Sequence, residues 1–330
     1  MRVLVVGGAG MIGSHVCEML LADDHEVWCL DSLLTGFRAS VAGLTDRPDF
    51  TFVHADISVA LPANLPPMDW ILHLASPASP LDFRRLSLEI MAVNARGTEH
   101  LLAFARQHGS RFLFASTSEV YGDPQEHPQR ETYWGHVNPI GLRGCYDESK
   151  RYGEALTMAY GRRYDLDVRI VRIFNTYGPR TRHYDGRVVP SFICSAIAGE
   201  PLTVIGTGEQ TRSFCYVTDL AAGILQVIAA PDSAARGEVF NLGNPDEWTI
   251  GEFAALVVEV AGSRSPITRQ AVREADPVRR DDPGRRCPDI TKAHTVLGWE
   301  PTVPLREGLA ETIAWFRATR GSEYARRPDR

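Results

Sequence analysis

The sequence predicts an α/β fold, a doubly wound parallel sheet of Rossmann-like type, with a smaller α/β substrate-binding domain. Three observations predict it. Short apolar, β-branched runs alternate with amphipathic stretches through the first half, a glycine-rich turn joins the first run to the first such stretch, and the alternation breaks after Gly178. The chain has 330 residues, which at roughly 150 residues per domain suits about two domains.

The elements follow in order. Strand-like runs lie at 3–6, 26–30, 50–54, 70–74, 111–116 and 168–174, and between them the helix-like segments 11–22, 90–108 and 149–164 repeat apolar residues at three and four. Turn clusters at Gly178-Pro179, Gly206-Thr207-Gly208 and Asp281-Asp282-Pro283-Gly284 then separate shorter elements. We expect a first domain at 1–178 and a smaller second domain mainly at 179–330. The helix-like 220–230 and strand-like 239–242 are expected to carry about 213–245 back to the first domain. The polar, basic tail 320–330 reads as a frayed terminus.

Composition narrows the function classes. With 44% hydrophobic and 23% charged residues the chain is an ordered globular protein, and a net charge of −6 offers no field for a polyanion, so nucleic acid is not an expected partner. Apolar runs fall far short of the ~18–20 residues that span a bilayer, so no membrane partner is expected and the location reads as cytoplasmic. Cys17, Cys29, Cys145, Cys194, Cys215 and Cys287 form no C-x-x-C pair, and the histidines lack ligand spacing, so reduced thiols and no metal are expected. His73, inside an apolar run, reads as a core or lining residue.

The first strand runs into Gly7-Gly8-Ala9-Gly10-Met11-Ile12-Gly13 and then a helix. In that context Gly7, Gly10 and Gly13 allow a tight turn and close approach to a pyrophosphate, while Met11 and Ile12 open a helix whose free N–H groups face it. Asp31 ends the second strand, where a carboxylate accepts both ribose hydroxyls of NAD and repels the phosphate of NADP. Asp56 stands either at the adenine end or in an ordinary turn. Ile57, Leu74 and Ser76 complete the candidate cofactor contacts on this side.

Tyr146 and Lys150 lie one helical turn apart, and Lys150 is one of only two lysines. A phenol with a pKa near ~10 is a poor base until a nearby ammonium stabilises the phenolate, so this pair suits removal of a hydroxyl proton as hydride leaves carbon. The strand 111–115 ends in Ser116-Thr117-Ser118-Glu119, which delivers hydroxyls and a carboxylate to the sheet's carboxyl edge. Thr117, Ser118 and Glu119 therefore join the catalytic candidates.

Together these features resemble the extended short-chain dehydrogenase/reductase superfamily, and within it the UDP-glucuronate decarboxylases along nearly the whole chain. The resemblance rests on LASPASP at 74–80, STSEVYGDP at 116–124, YWGHVNPIG at 133–141, YDESKR at 146–151, RIFNTYGPR at 172–180, DGRVV at 185–189, EPLTV at 200–204, QTR at 210–212 and the run 281–290. The segment around TSE and VYG is shared with GDP-mannose dehydratases; YWGHVNPIG and DDPxRRxPDI favour the decarboxylases. The resemblance implies NAD as cofactor, UDP-glucuronate as substrate, UDP-xylose as product, and a homodimer pairing through 90–108 and 149–164. It implies that the domain at 1–178 is NAD-binding and the one mainly at 179–330 nucleotide-sugar-binding. It implies that Thr117 bonds the sugar C4 hydroxyl, Tyr146 deprotonates it and Lys150 supports Tyr146. Glu119 and Arg212 would handle ring position, the carboxylate and C5 protonation. Arg187 is implied at the cofactor, and Pro77, Asn175, Thr203 and Arg286 at the substrate. Ala92 stands where lysine is frequent and Pro190 where serine is frequent. Anchored members carry a long segment ahead of the first strand, so the resemblance implies a soluble form. A nucleotide-sugar 4,6-dehydratase or 4-epimerase is the alternative within the same chemistry.

Overall fold

The structure, a computed structural model, describes residues 1–272 and 282–325. Asp281, the start of one turn cluster and of the run 281–290, lies outside the described residues, as does the tail segment 326–330. Strands β1 (Arg2–Val6), β2 (Glu26–Asp31), β3 (Phe50–His54), β4 (Trp70–His73), β5 (Arg111–Thr117) and β6 (Val168–Ile173) join the late strand Val239–Leu242 in one parallel sheet. Its order is Val239–Leu242, β6, β5, β4, β1, β2, β3, so the direction of winding reverses between β1 and β4. Ligands bind at such a switch point, beyond the carboxyl ends of the strands.

The strands are apolar throughout because both faces are covered. Val3 and Val5 of β1 pack with Val16 and Leu20 of helix α1 (Met11–Ala22), while Leu4 and Val6 face Leu101 and Leu102 on the other side. His73 is fully buried there, its ring 5.5 Å from that of Phe114. Its register partner on β5 is Phe114, and β5 continues to Thr117, so the Ser116-Thr117 end projects past β4 into the crevice.

The expected helix 90–108 is interrupted. Helices α2 (Asp82–Arg85) and α3 (Ser87–Ala92) precede a π-helical turn at Val93–Gly97, and α4 (Thr98–His108) follows. The widened turn holds Asn94 in the interior, its amide donating to the hydroxyls of Ser76 and Ser149, each at 3.0 Å. Helix α5 (Gly144–Tyr164) begins before the expected 149 because the turn at 141–144 already coils, with Gly144 N donating to Gly141 O at 2.9 Å.

Beyond Gly178, α6 (Val188–Ala198) and two short strand pairs, Leu202–Ile205 with Ile267–Gln270 and Thr211–Ser213 with Glu247–Thr249, surround a second core of Phe192, Phe214, Phe253 and Phe316. Helix α7 (Val217–Ala229) packs against α1, and Val239–Leu242 pairs with β6. The tail corrects one expectation. Residues 320–325 are not frayed, because Tyr324 is buried against Phe37 (ring centroids 4.6 Å) and its hydroxyl lies 2.9 Å from Ser40 Oγ. A single aromatic docks an otherwise polar segment.

Candidate active site

The glycine turn is dictated by space. A Cβ on Gly7, whose φ is +83°, would stand 2.7 Å from the Ala75 main chain, and one on Gly13 would stand 2.2 Å from Gly7 O. Gly10 caps α1 without any side-chain bond, so the helix start presents bare N–H groups to the groove. Met11 and Ile12 turn their side chains away from the groove, the Met11 sulfur meeting Thr181 Oγ1 at 2.6 Å and Ile12 packing on the core. The groove, about 100 Å³, is lined by Gly7, Gly10, Asp31, Asp56, Ile57, Leu74, Ser76 and Pro77 among others. This cradle, closed to any side chain at its turn, fits the pyrophosphate of NAD.

Asp31 has a second duty. Its carboxylate accepts from Ala9 N (3.0 Å) and Leu33 N (2.7 Å), so it also fixes the turn it serves, and burial raises its pKa above the usual value despite those bonds. Asp56 accepts from the N–H and hydroxyl of Ser58 at 2.8 and 2.7 Å, a turn bond made by an exposed residue that also edges the groove. Pro77 lines this groove and not the larger cavity, which its neighbours Ala78 and Pro80 line.

At the end of β5, Thr117 caps a short turn holding Ser118, its hydroxyl accepting from Glu119 N at 3.2 Å. The same hydroxyl lies beside the Tyr146 phenol and favours its ionised form. Tyr146 is 7% exposed and stacks on Phe83 with ring centroids 5.2 Å apart. Burial pushes the phenol well above its ordinary pKa, and the Thr117 hydroxyl and the charge of Arg187 oppose that rise. Lys150 donates to Ala115 O at 2.7 Å, and its Nζ lies 5.9 Å from the Tyr146 ring centroid. Burial lowers the lysine to about 7, against the pull of Glu154. A proton can thus be exchanged near neutrality one helical turn from the phenol.

Beside this pair opens a cavity of about 630 Å³ whose walls include Glu119, Arg143, Asn175, Arg187, Thr203, Arg212 and Arg286. Arg187 lies on this wall and not in the cofactor groove, held by Asp185 at 2.6 Å. Glu119 accepts from Arg143 at 2.6 Å and from both Arg286 nitrogens at 2.8 and 2.9 Å. Burial alone would raise its pKa, but Arg143 and Arg286 outweigh burial and hold it below the usual carboxylate value. A carboxylate so held is a fixed negative charge between two guanidiniums. Arg212 donates to Asp282 and Pro283 O at 2.5 Å and to Thr211 O at 2.7 Å.

Arg143, Asp282, Asn94 and Phe83 escaped the sequence reading. So did Asp147, next to Tyr146, a buried carboxyl with one unpartnered oxygen that burial and the Glu119 charge push up to about 8. The described residues also bring His127, Glu247 and Cys287 within 4.8 Å of one another, but Arg285 already stands 2.7 Å from His127 Nε2 and 3.1 Å from Glu247.

A profile of the NAD dependent epimerase/dehydratase family matches residues 3–243. UDP-glucuronic acid decarboxylase 1 of Xenopus tropicalis is 48% identical over 316 residues, 96% of this chain and 72% of that protein. UDP-glucuronic acid decarboxylase 4 of Arabidopsis thaliana is 46% identical over 317 residues, 96% and 69% of the two. Among solved structures, a dTDP-glucose 4,6-dehydratase from Streptomyces venezuelae, with NAD bound, superposes with a TM-score of 0.86 at 32% identity over 98% of this chain and 99% of that one. A UDP-glucuronic acid 4-epimerase from Bacillus cereus, in complex with UDP-glucuronic acid and NAD, gives 0.84 at 26% identity over 96% and 99%.

Proposed function

The chain belongs to the NAD-dependent epimerase/dehydratase family, and we infer that it converts UDP-glucuronate to UDP-xylose and carbon dioxide. The identity of 46–48% to UDP-glucuronic acid decarboxylases supports the decarboxylating branch, and one observation supports an acidic sugar as substrate. The Tyr146–Thr117 pair stands beside a cavity where three buried guanidiniums, of Arg143, Arg212 and Arg286, face two carboxylates, leaving positive charge for an acidic sugar.

The glycine turn and the start of α1 hold the NAD pyrophosphate, and Asp31 holds its adenosine ribose. NAD, when bound, would supply a hydride acceptor at sugar C4 and the donor that restores C4 after carbon dioxide is lost. Thr117 orients the C4 hydroxyl and Tyr146 takes its proton, with the Lys150 ammonium stabilising the phenolate. The resulting 4-ketone lies β to the carboxylate. Cleavage of the C5–carboxylate bond therefore leaves the electron pair in an enolate, and one proton is then added at C5. The buried guanidiniums bind the substrate's anionic groups, and Glu119 keeps Arg143 and Arg286 aimed. Asn175 and Thr203, on the cavity wall, contact the nucleotide side. The test is direct: UDP-glucuronate should yield equal amounts of UDP-xylose and carbon dioxide without added reductant. A 4-epimer formed without carbon dioxide would favour the epimerase reading instead.

The protein acts as a homodimer in this reading. Leu88 and Met91 of α3 and Tyr152 of α5 are 75%, 46% and 50% exposed, an apolar surface supporting pairing of these helices in two copies. Light scattering that finds only monomer at micromolar concentration would refute it. Among the described residues no helix is long and apolar enough to cross a membrane. The six free thiols suit a reducing compartment, and cytoplasmic action belongs to the same proposal.

A further inference from the structure

The guanidiniums around the large cavity are satisfied in an uneven way. Glu119 sits deep between Arg143 and Arg286, its side chain 12% exposed. Asp282 is different, for its side chain is 40% exposed while those of Arg143, Arg212 and Arg286 are 5–8% exposed. Its carboxylate lies 2.5 Å from Arg212 Nη2, 3.4 Å from Arg143 Nη1 and 4.0 Å from Arg286 Nη2. Arg212, Arg143 and Arg286 hold its pKa at about 2, so it is a full anion. All five groups line the cavity, and the buried Arg286 Nε has no partner among the described residues.

An anionic group entering the cavity meets three cations whose open approach is already taken by one carboxylate. If both anions stay, like charges share one cation cluster at a cost of several kcal/mol. If the resident leaves, its water-exposed position makes it the member of the network that leaves most cheaply, and three positive charges against Glu119 alone then receive the newcomer.

We propose that the Asp282 carboxylate is a resident stand-in for an anionic group of the substrate, lying across Arg212, Arg143 and Arg286 until that group displaces it. The inference rests on the UDP-glucuronate reading above. Two groups of that substrate share the needed chemistry, the sugar carboxylate and the diphosphate. Asp282 thereby sets selectivity: it lowers affinity for every weak anion and admits only one that engages the guanidiniums better than a single carboxylate does.

The test is calorimetric titration of wild type and Asp282→Asn, each carried in a Tyr146→Phe background that binds but hardly converts substrate, both with saturating NAD, using UDP-glucuronate, UDP-xylose and UDP. Displacement from the carboxylate seat predicts that the variant binds UDP-glucuronate about tenfold tighter with UDP and UDP-xylose unchanged. Displacement from the diphosphate seat predicts a similar gain for all three. Unchanged or weaker binding of all three by a variant with wild-type melting behaviour overturns the proposal, because Asp282 then merely positions Arg212. Asp282→Ser, smaller and equally uncharged, replaces the Asn variant if that one melts early. A wild type that binds none of the three overturns the UDP-glucuronate reading itself, a result distinct from binding that the substitution leaves unaltered.

Discussion

Replacing Tyr146 by Phe removes a single oxygen from a slot that already suits an aromatic ring. The ring is 7% exposed and stacked on Phe83, and the hydroxyl lies beside Thr117. Losing that polar contact costs about 1 kcal/mol. Thr117 keeps its bond from Glu119 N, so the cap survives. In a chain of this size the loss lowers Tm by about 2 °C. Turnover is another matter. Without the phenol the C4 proton has no acceptor at the end of β5, and losing a general base costs about 10²- to 10⁴-fold, equivalent to about 3–5 kcal/mol of barrier. The assay is UDP-xylose formation followed by ion-exchange chromatography, with the Kd for UDP-glucuronate and the melting curve measured on the same preparation. The expected variant folds, binds and hardly turns over. A Phe variant retaining more than about a tenth of wild-type turnover would remove Tyr146 from the proton transfer.

Three further outcomes are expected. Asp31 carries its charge where NADP would carry a phosphate, so wild type should bind NADH at least about tenfold tighter than NADPH, and Asp31→Asn should narrow that ratio; equal wild-type affinities in a fluorescence titration would count against the assignment. Asp147 has a folded pKa raised from 3.8 to about 8, so the folded state retains a proton that the unfolded chain releases, and stability falls as pH rises across that window. Asp147→Asn, which cannot ionise, should therefore out-melt wild type at pH 8 by a margin that shrinks toward pH 5, and a margin independent of pH would refute the shift. Glu119→Gln or Arg212→Ala should slow carbon dioxide release more than C4 oxidation, so reduced-nicotinamide absorbance should accumulate early in single-turnover mixing; equal slowing of both steps would reject the division of labour.

What the sequence made legible was local. A strand, a glycine turn and a helix are contiguous at 2–22, and Tyr146 and Lys150 share one turn of α5, so their chemistry could be read from spacing. The arginine network could not. Glu119 and Arg286 are 167 residues apart and Arg212 and Asp282 are 70 apart, and one arginine carries little signal where lysine is nearly absent from the basic residues. The π-helical turn escaped for a different reason. Its apolar periodicity continues through Val93–Gly97, and the widening serves Asn94, whose partners Ser76 and Ser149 come from other segments. Asp31 was legible as a ribose ligand but not as the acceptor that fixes the glycine turn, since the donors are main-chain groups common to any residue.

The two halves of the reaction ask opposite things of their surroundings, and the site supplies both within a short distance. Moving a proton needs groups that can change charge. Around Tyr146 and Lys150 burial disfavours charge, raising the phenol and lowering the ammonium to about 7, so the phenol gives up its proton only when a nearby positive charge stabilises the phenolate. Releasing carbon dioxide needs groups that do not change charge while an anion forms and is discharged. There Arg143 and Arg286 hold Glu119 ionised, and Arg212 holds Asp282 near 2. Thr117 and Glu119, two residues apart on one turn, are the hinge between the regimes, one beside the phenol and the other bonded to the guanidiniums. A substitution at Thr117 that keeps the turn but removes the hydroxyl therefore disturbs only the proton-moving side. One that neutralises Glu119 keeps the cap, which is a bond to the Glu119 main chain, but disturbs the fixed-charge side and also removes a negative charge that raises the phenol.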